Sequence, residues 1–248
     1  MEAFKHMTMT LMMAAVAHSG MAQTPERTGF SENFQQLSRQ DWHLAEYDFT
    51  NPHFDTDWRA NQVQTGDGLV LRLDRQSGKE NAFVSGSVRR ETITGFGRYE
   101  ATMRPARGSG LVTGFFTYTG PAYGTRHDEI DIEFLGKNTS QIHVAWFVDG
   151  QLTNHFIDLG FDAADRARSY AFDWLPDRLR WWADGQMILE VTEQDAALPK
   201  IPSRLFINLW AADPSISVWS GDPFQGDHAE ALVGKVSFRP LRTGELGS

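Results

Sequence analysis

Three acidic side chains recur at every second position of the segment DEIDIEFLG, residues 128–136. Because side chains alternate between the two faces of a β-strand, Glu129, Asp131 and Glu133 would point to one face. The opposite face would carry apolar core residues, namely Ile130, Ile132 and Phe134. Like charges at neighbouring same-face positions repel each other, so the pattern is unusual for a solvated strand. It predicts a row of acids that lines an open groove.

Three interpretations of this acidic row imply different chemistry. A solvated strand would normally intersperse Lys or Thr, and a calcium site needs a curved backbone that supplies carbonyl ligands. Glycoside hydrolysis, in contrast, uses two carboxyl groups with opposite protonation states on either side of one bond. Glu129 and Glu133 lie roughly 13 Å apart along an extended backbone, and side chains that lean inward on a twisted sheet can approach the roughly 5–5.5 Å of retaining enzymes. Asp131 between them would hold one glutamate ionised and the other protonated.

The elements that must position these acids are predicted to be strands. Short alternating runs occupy residues 66–75, 97–105, 110–120, 128–136, 141–150 and 178–191. Asp-Gly pairs at 149–150 and 184–185 lie between apolar runs, which is typical of tight hairpins. Helical periodicity is weak, and residues 162–169 are the one candidate for a short turn. This spacing predicts an all-β, antiparallel sandwich of the jelly-roll type with a concave substrate groove.

Charge and composition exclude several classes of function. The 248 residues carry a formal net charge of -9, which argues against nucleic acid and against an anionic membrane surface. With no cysteine, the chain has no disulfide, no thiolate chemistry and no Cys-based metal site. A hydrophobic content of 41% is ample for a globular core.

The amino terminus is typical of an exported protein. Lys5 and His6 precede the apolar run MTMTLMMAAVA, which is too short to span a bilayer, and small residues surround Ala22. We therefore expect residues 1–22 to be a secretory signal peptide cleaved near Ala22. Residues 23–248 would then form a single domain in the periplasm or outside the cell.

The acidic segment also carries a family resemblance. EIDIE, within TYTGPAYGTRHDEIDIEFLGK at 117–137, resembles the signature of glycoside hydrolase family 16, and the likeness extends from about residues 54–63 through 95–106 to 206–213. The chain is most similar to the bacterial lichenases, endo-glucanases of mixed-linkage β-1,3-1,4-glucan. A single residue separates Asp131 from Glu133, as in the lichenase, xyloglucan-transferase and succinoglycan-hydrolase branches, whereas laminarinases and agarases have an extra bulged residue there. The resemblance implies Glu129 as nucleophile, Asp131 as its helper and Glu133 as general acid/base.

Residues around the acids are candidates for substrate contact. If His143 in the run QIHVAWFVDG faces the acids, Phe147 does too by the period of two, although a lone histidine is also compatible with a structural role. The resemblance implies further sugar contacts, and core packing is the alternative for the aromatic residues among them. These candidates are Arg89, Phe116, Tyr118, His127, Asn208, Trp210 and Trp219.

Several positions depart from the lichenase pattern. Ser87 stands where lichenases have a glutamate, and Ala145 stands where they have an asparagine. His127 replaces the usual tryptophan and matches the succinoglycan hydrolases and xyloglucan transferases. The aspartate that helps to hold calcium in the family falls near Gly234, so we expect weak structural calcium binding or none, and no metal in catalysis.

The sequence thus predicts a secreted, retaining endo-glycosidase without a required cofactor, acting as a monomer on a polysaccharide. Mixed-linkage β-1,3-1,4-glucan is the expected substrate. The alternatives are a bacterial exopolysaccharide of the succinoglycan kind, or transfer to a sugar acceptor. A non-catalytic glycan-binding module would have no need of both glutamates.

Overall fold

The computed structural model describes residues 28–241, and the predicted signal peptide lies outside them. Within this range, seventeen strands form two sheets. The ten-stranded back sheet has the spatial order β15 (Gln186–Thr192), β14 (Arg178–Ala183), β13 (Arg168–Trp174), β8 (Gly97–Arg104), β17 (His228–Pro240), β5 (Gly68–Arg75), β6 (Phe83–Ser85) and β3 (Thr56–Trp58), while β1 (Phe30–Glu32) pairs with β17 and β4 (Val63–Gly66) with β5. The seven-stranded front sheet has the order β12 (Gln151–Asp158), β11 (Gln141–Val148), β10 (Asp128–Leu135), β9 (Leu111–Thr119), β16 (Arg204–Ala211), β7 (Ser87–Arg90) and β2 (Trp42–Leu44).

The two sheets pack face to face around one large apolar core, which confirms the predicted sandwich. Aromatic pairs join the sheets across this core: Phe115 with Phe172, Phe134 with Tyr170, and Trp146 with Trp181. Neighbouring strands are antiparallel except β3 and β6, which are parallel. The core therefore takes the apolar face of β10, and the acids must point away from it.

Both predicted Asp-Gly hairpins are present. Asp149 and Gly150 have φ of 51° and 76° and connect β11 to β12, while Asp184 and Gly185 have φ of 47° and 78° and connect β14 to β15. Positive φ at both central residues gives the tight turn whose twist matches the flanking strands. Asp and Gly tolerate this left-handed region better than other residues, so the sequence signal has a direct physical cause.

Helical structure in the described range is confined to single turns. One α-helical turn spans Ser217–Ser220, and 3-10 turns span Ala60–Gln62, Pro121–Tyr123 and Pro214–Ile216. Residues 163–166 form turns and bends as expected, but the candidate segment was extended too far, because β13 begins at Arg168. No helix among residues 28–241 is long and apolar enough to cross a membrane.

The start of β10 is fixed by Asp128, the one acid of DEIDIE that does not share a face with Glu129, Asp131 and Glu133. Its carboxylate is fully buried and accepts two hydrogen bonds from Arg126, at 2.9 and 3.1 Å. It also accepts from the backbone N–H groups of Asp149, Lys200 and Ile201. A buried carboxylate with this many donors anchors the strand to two loops.

The apolar face of β10 should carry much of the stability. Ile132 is fully buried between the sheets, so Ile132→Ala removes apolar surface and leaves a cavity. We expect the free energy of unfolding to fall by about 2–5 kcal/mol in urea titrations. Val218→Ala, at a residue that is 78% exposed, is the control and should change it by less than about 0.5 kcal/mol. Equal effects of the two substitutions would contradict this packing.

Candidate active site

The three acids lie on the front face, which is the face of the front sheet turned away from the core. β10 pairs with both neighbours without a register shift, so the alternation is unbroken. The flanking residues on β9 and β11 are Tyr118 and Phe147 for Glu129, Phe116 and Ala145 for Asp131, and Gly114 and His143 for Glu133. Glu129 keeps 7% and Glu133 9% of its surface exposed, and Asp131 keeps 4%. The row is therefore a largely desolvated set of acidic groups.

Each glutamate has its own histidine partner. His127 Nε2 lies 2.5 Å from Glu129 Oε2, and the His127 ring stacks on Phe147 at 4.6 Å. His143 Nδ1 lies 2.9 Å from Glu133 Oε2, and Nε2 of His143 is buried without a hydrogen-bond partner among residues 28–241. Two buried carboxyl groups four residues apart are thus held by separate ring nitrogens.

Asp131 supplies the asymmetry of the row. Burial raises the pKa of Asp131 well above its ordinary value, and the negative charges of Glu129 and Glu133 raise it further. Burial also raises the pKa of Glu129, but hydrogen bonds from His127 and from Asp131 oppose that rise. The arrangement favours a neutral Asp131 that donates its proton to an ionised Glu129.

An aromatic cluster lies beside the acids on the front face. Phe116 stacks on Phe206 at 5.2 Å, and Tyr118 meets the same Phe206 ring edge-on at 6.0 Å. Phe116 and Tyr118 are 4% and 2% exposed. They form the floor next to Asp131 and Glu129 and leave little ring surface open to a ligand.

Trp210 and Trp219 lie farther along the same cluster. Trp210 is stacked between Phe54 at 3.9 Å and Trp219 at 5.9 Å, and is 1% exposed. Trp219 meets the His143 ring edge-on at 5.6 Å. The structure thus links Trp219 to the Glu133 end of the row and places Trp210 beneath it.

Asn208 approaches the row because its neighbour on β9 is a glycine. A Cβ atom at Gly114 would lie 2.7 Å from Asn208 Oδ1, and Gly114 is also the β9 partner of Glu133. In the part of the chain that the structure describes, Asn208 Oδ1 is buried without a hydrogen-bond partner, as is Asp131 Oδ2. Unpaired buried oxygens at a front face are candidates for bonding a sugar hydroxyl.

Arg89 lies on β7, three strands away from β10 and next to the β2 edge of the front sheet. It donates to Tyr123 Oη at 3.0 Å and to both oxygens of Glu91, at 2.9 and 3.0 Å. Glu91 therefore stands two residues after the arginine, whereas the resemblance places a glutamate two residues before it, at Ser87. The guanidinium of Arg204 lies 4.5 Å above the Tyr123 ring.

The sequence did not reveal three neighbours of the site, which are Tyr123, Arg204 and Phe156. Tyr123 ends the 3-10 turn of the segment PAYG, so an aromatic residue in a turn just before the acidic strand was the available signal. Arg204 and Phe156 lie on β16 and β12, which were not predicted as strands from periodicity. Phe156 is 47% exposed, and its ring lies 4.5 Å from that of His143.

The chemistry of Gly234 does not suit a calcium ligand, which is what the resemblance would place near this position. This residue lies in β17, where the pairing with β8 shifts between Val233 and Lys235. Gly234 has no side-chain oxygen, and the backbone oxygen of Thr102 lies 3.8 Å from where its Cβ would be. Without a carboxylate there, a hard cation loses its charged ligand.

Comparison with known proteins identifies the family. The model of glycosyl hydrolases family 16 matches residues 50–228. The chain belongs to this family. A family 16 resemblance was expected from EIDIE, and it is confirmed together with the likeness to bacterial beta-glucanases.

Three relatives illustrate the likeness of this family 16 chain to known enzymes. The beta-glucanase of Bacillus licheniformis is 38% identical over 85% of this chain and 85% of its own length. The endo-1,3-1,4-beta-glycanase ExoK of Rhizobium meliloti is 33% identical over 84% of this chain and 78% of its own. The crystal structure of a prokaryotic beta-1,3-1,4-glucanase (lichenase) from a mouse hindgut metagenome has a TM-score of 0.81 at 31% identity, covering 86% of this chain and 100% of that one.

The raised pKa of Asp131 predicts a stability that depends on pH. Above the unfolded value of about 4, the folded protein keeps a proton that the unfolded chain releases, so wild-type stability falls as the pH rises towards the folded pKa. Asp131→Asn keeps a hydrogen-bond donor at this position but cannot ionise, so it removes this pH-dependent loss of stability. The variant should gain stability relative to wild type as the pH rises, by at most about 1.4 kcal/mol per pH unit, in urea titrations between pH 4 and 8.

Asp195→Asn provides a control of opposite sign. Hydrogen bonds from the backbone and hydroxyl of Thr192 lower the pKa of Asp195, so its contribution is present above the unfolded pKa and is lost as the pH falls through the folded pKa. This variant should lose stability at neutral pH relative to acidic pH. If Asp131→Asn behaved in the same way, Asp131 would not be the protonated member of the row.

Proposed function

We propose that this family 16 chain is a secreted, retaining endo-glycosidase that hydrolyses internal β-linkages of a mixed-linkage β-1,3-1,4-glucan. Residues 1–22 would direct export, and residues 23–248 would form one monomeric domain without a required cofactor. The observation that carries the proposal is the unbroken acidic row on β10, with a histidine on each glutamate and, between them, an aspartate whose pKa is raised by burial and by the charges of both glutamates.

Glu129 is the nucleophile in this proposal. Its carboxylate is kept ionised by hydrogen bonds from His127 and from neutral Asp131, even though burial opposes the charge. It attacks the anomeric carbon as the bond from that carbon to the glycosidic oxygen breaks. The product of this step is a covalent glycosyl ester on Glu129.

Glu133 is the general acid and base. In the first step it gives its proton to the departing glycosidic oxygen, and in the second it removes a proton from the water that attacks the anomeric carbon. The ester bond to Glu129 then breaks, and two displacements leave the sugar with its original configuration. His143, at 2.9 Å from Glu133, fixes the direction of the carboxyl group.

Sugar contacts are proposed to extend on both sides of the row. Phe147 and His127 would contact sugar near Glu129, and Trp219 and Asn208 near Glu133. Arg89 would contact a more distant unit. The deeply buried rings of Phe116, Tyr118 and Trp210 would act mainly through the shape of the floor, with only their edges reaching a ligand.

The relatives support the choice of substrate. Enzymes named beta-glucanase and lichenase share more than 30% identity with most of this chain. The match to ExoK, together with His127 in place of the lichenase tryptophan, favours a second candidate, which is hydrolysis of a bacterial exopolysaccharide. Release of reducing sugar from barley glucan, lichenan, laminarin and xyloglucan separates the two, since the second candidate predicts little release from any of them.

Replacing the proposed nucleophile should stop the reaction at its first step. Glu129→Gln is isosteric but cannot form the glycosyl ester, so kcat on lichenan should fall by at least about 10⁴-fold while the melting temperature stays within a few degrees. Proton NMR of the first wild-type products should show retained configuration. Near-normal turnover by the variant, or inverted product, would overturn the role of Glu129.

The loss of rate caused by replacing the proposed general acid should depend on the leaving group. Glu133→Gln cannot protonate the glycosidic oxygen, so hydrolysis of lichenan should fall by about 10²–10⁴-fold. The first step on an aryl β-glycoside whose phenol leaves without protonation should be largely retained, as a burst of released phenol. Equal losses on both substrates would contradict the assignment of acid and nucleophile.

A further inference from the structure

One aromatic side chain on the front face is not part of the buried floor beside the acids. Phe156 lies on β12, an edge strand of the front sheet, and is 47% exposed. No other Phe, Tyr or Trp among residues 28–241 is exposed to this extent, and the floor rings of Phe116, Tyr118 and Trp210 are at most 4% exposed. Phe156 therefore offers a ligand the ring surface that the floor does not.

Strand pairing places Phe156 in line with the proposed general acid. Glu133 on β10 is paired with His143 on β11, and His143 is paired with Phe156 on β12. Neither pair of strands has a register shift, so the three side chains share the front face. Adjacent strands are about 4.8 Å apart, so the backbone of Phe156 lies roughly 10 Å from that of Glu133. The front face thus leads from the acid directly to an exposed ring.

Packing gives the Phe156 ring a fixed neighbour. Its centre lies 4.5 Å from that of the His143 ring, at 31° between the two planes, and His143 in turn meets Trp219 edge-on. His143 and Trp219 are 4% and 5% exposed, so this support is buried while the Phe156 ring remains accessible. Single exposed phenylalanines are common on protein surfaces. The alignment with Glu133 and the contact with its histidine are what indicate a function here.

The direction of the proposed reaction assigns this surface to the leaving group. Glu133 protonates the glycosidic oxygen, so the sugar that is attached to this oxygen lies at the Glu133 end of the acidic row. A glycan that crosses the strands at this end passes over His143 and then reaches Phe156. Since β12 is an edge strand, the departing part of the glycan has no further strand to cross.

We infer that Phe156 is the stacking platform of a subsite for a glucose unit in the leaving group. The inference rests on the proposed function and adds a residue that binds the departing part of the neutral glucan. The hydroxyl groups of β-linked glucose are equatorial, so both faces of the sugar ring present C–H groups that pack on an aromatic ring. Asn154, two residues earlier on the same face of β12, is exposed and provides an amide for a sugar hydroxyl.

Transfer to added acceptors tests the platform separately from acid catalysis. An aryl β-glycoside of a mixed-linkage trisaccharide would form the glycosyl ester on Glu129 and release its phenol, which empties the leaving-group side. Water or an added alcohol then attacks the anomeric carbon, gives its proton to Glu133 and displaces the Glu129 carboxylate. Because both routes use the same ester and the same base, the ratio of transfer to hydrolysis reports how well the acceptor binds.

Variants at exposed positions locate the acceptor contact. At subsaturating cellobiose, Phe156→Ala should reduce the ratio of transfer to hydrolysis by about three- to tenfold, whereas Phe156→Tyr should retain most of it. The ratio with methanol, which is too small to extend from Glu133 to Phe156, should not change. Met187→Ala removes a 50% exposed side chain from an edge strand of the back sheet, and this matched control should leave both ratios unchanged. Melting temperatures would show that each variant is folded.

The outcomes separate this inference from the proposed function. An unchanged cellobiose ratio in Phe156→Ala, an equal loss with methanol, or an equal loss in Phe156→Tyr overturns the platform and leaves the glycosidase proposal in place. Hydrolysis by wild type without any transfer to cellobiose has the same meaning. A wild-type protein that cleaves neither the aryl glycoside nor lichenan contradicts the proposed function and, with it, this inference.

Discussion

The structure depends on placing three carboxyl groups side by side in a largely dry environment. Three ionised acids at adjacent same-face positions of β10 would repel each other, and burial would make each charge costly. A proton held by Asp131 removes one negative charge from the row. The same proton can form a hydrogen bond to Glu129. The protonation that reduces the repulsion between the acids therefore also makes the two glutamates chemically unequal.

The rest of the fold serves to hold this row in place. Ile130, Ile132 and Phe134 fasten the strand to the core from behind, and Trp181 of the back sheet donates to the backbone oxygen of Asp131 at 3.1 Å. In front, the histidines restrict the glutamates. A site built on the central part of a paired sheet has little backbone freedom, which suits chemistry that requires two carboxyl groups at a set separation.

Some of this architecture could be predicted because the responsible interactions are local. Period-two alternation identified the acidic strand and its two neighbours. The two hairpins could be predicted because their turns require a left-handed conformation, which Asp149-Gly150 and Asp184-Gly185 tolerate. Other parts depend on distant contacts. The edge strand β12 is largely exposed and lacks alternation, and short strands such as β7 exist because of pairing with β16 and β2.

The same distinction applies to the site. Glu129, Asp131 and Glu133 share a strand, so their common face followed from sequence. The contacts of His143 with Glu133, and the packing of Tyr123 between Arg89 and Arg204, join residues far apart in the chain. The depth of Trp210 was also not predictable, because it results from Phe54, which stacks on it across the loops. The roles of these residues in binding stay predictions.

The unequal protonation of the row can be observed directly by carbon-13 NMR of the side-chain carboxyl groups, assigned with the Asp131→Asn and Glu129→Gln variants, during a pH titration. The account predicts that the Asp131 carboxyl keeps its proton to a pH well above that at which exposed aspartates ionise, while Glu129 is ionised beside it. Titration of Asp131 at the ordinary value of about 4, or a neutral Glu129 next to an ionised Asp131 at neutral pH, would contradict it.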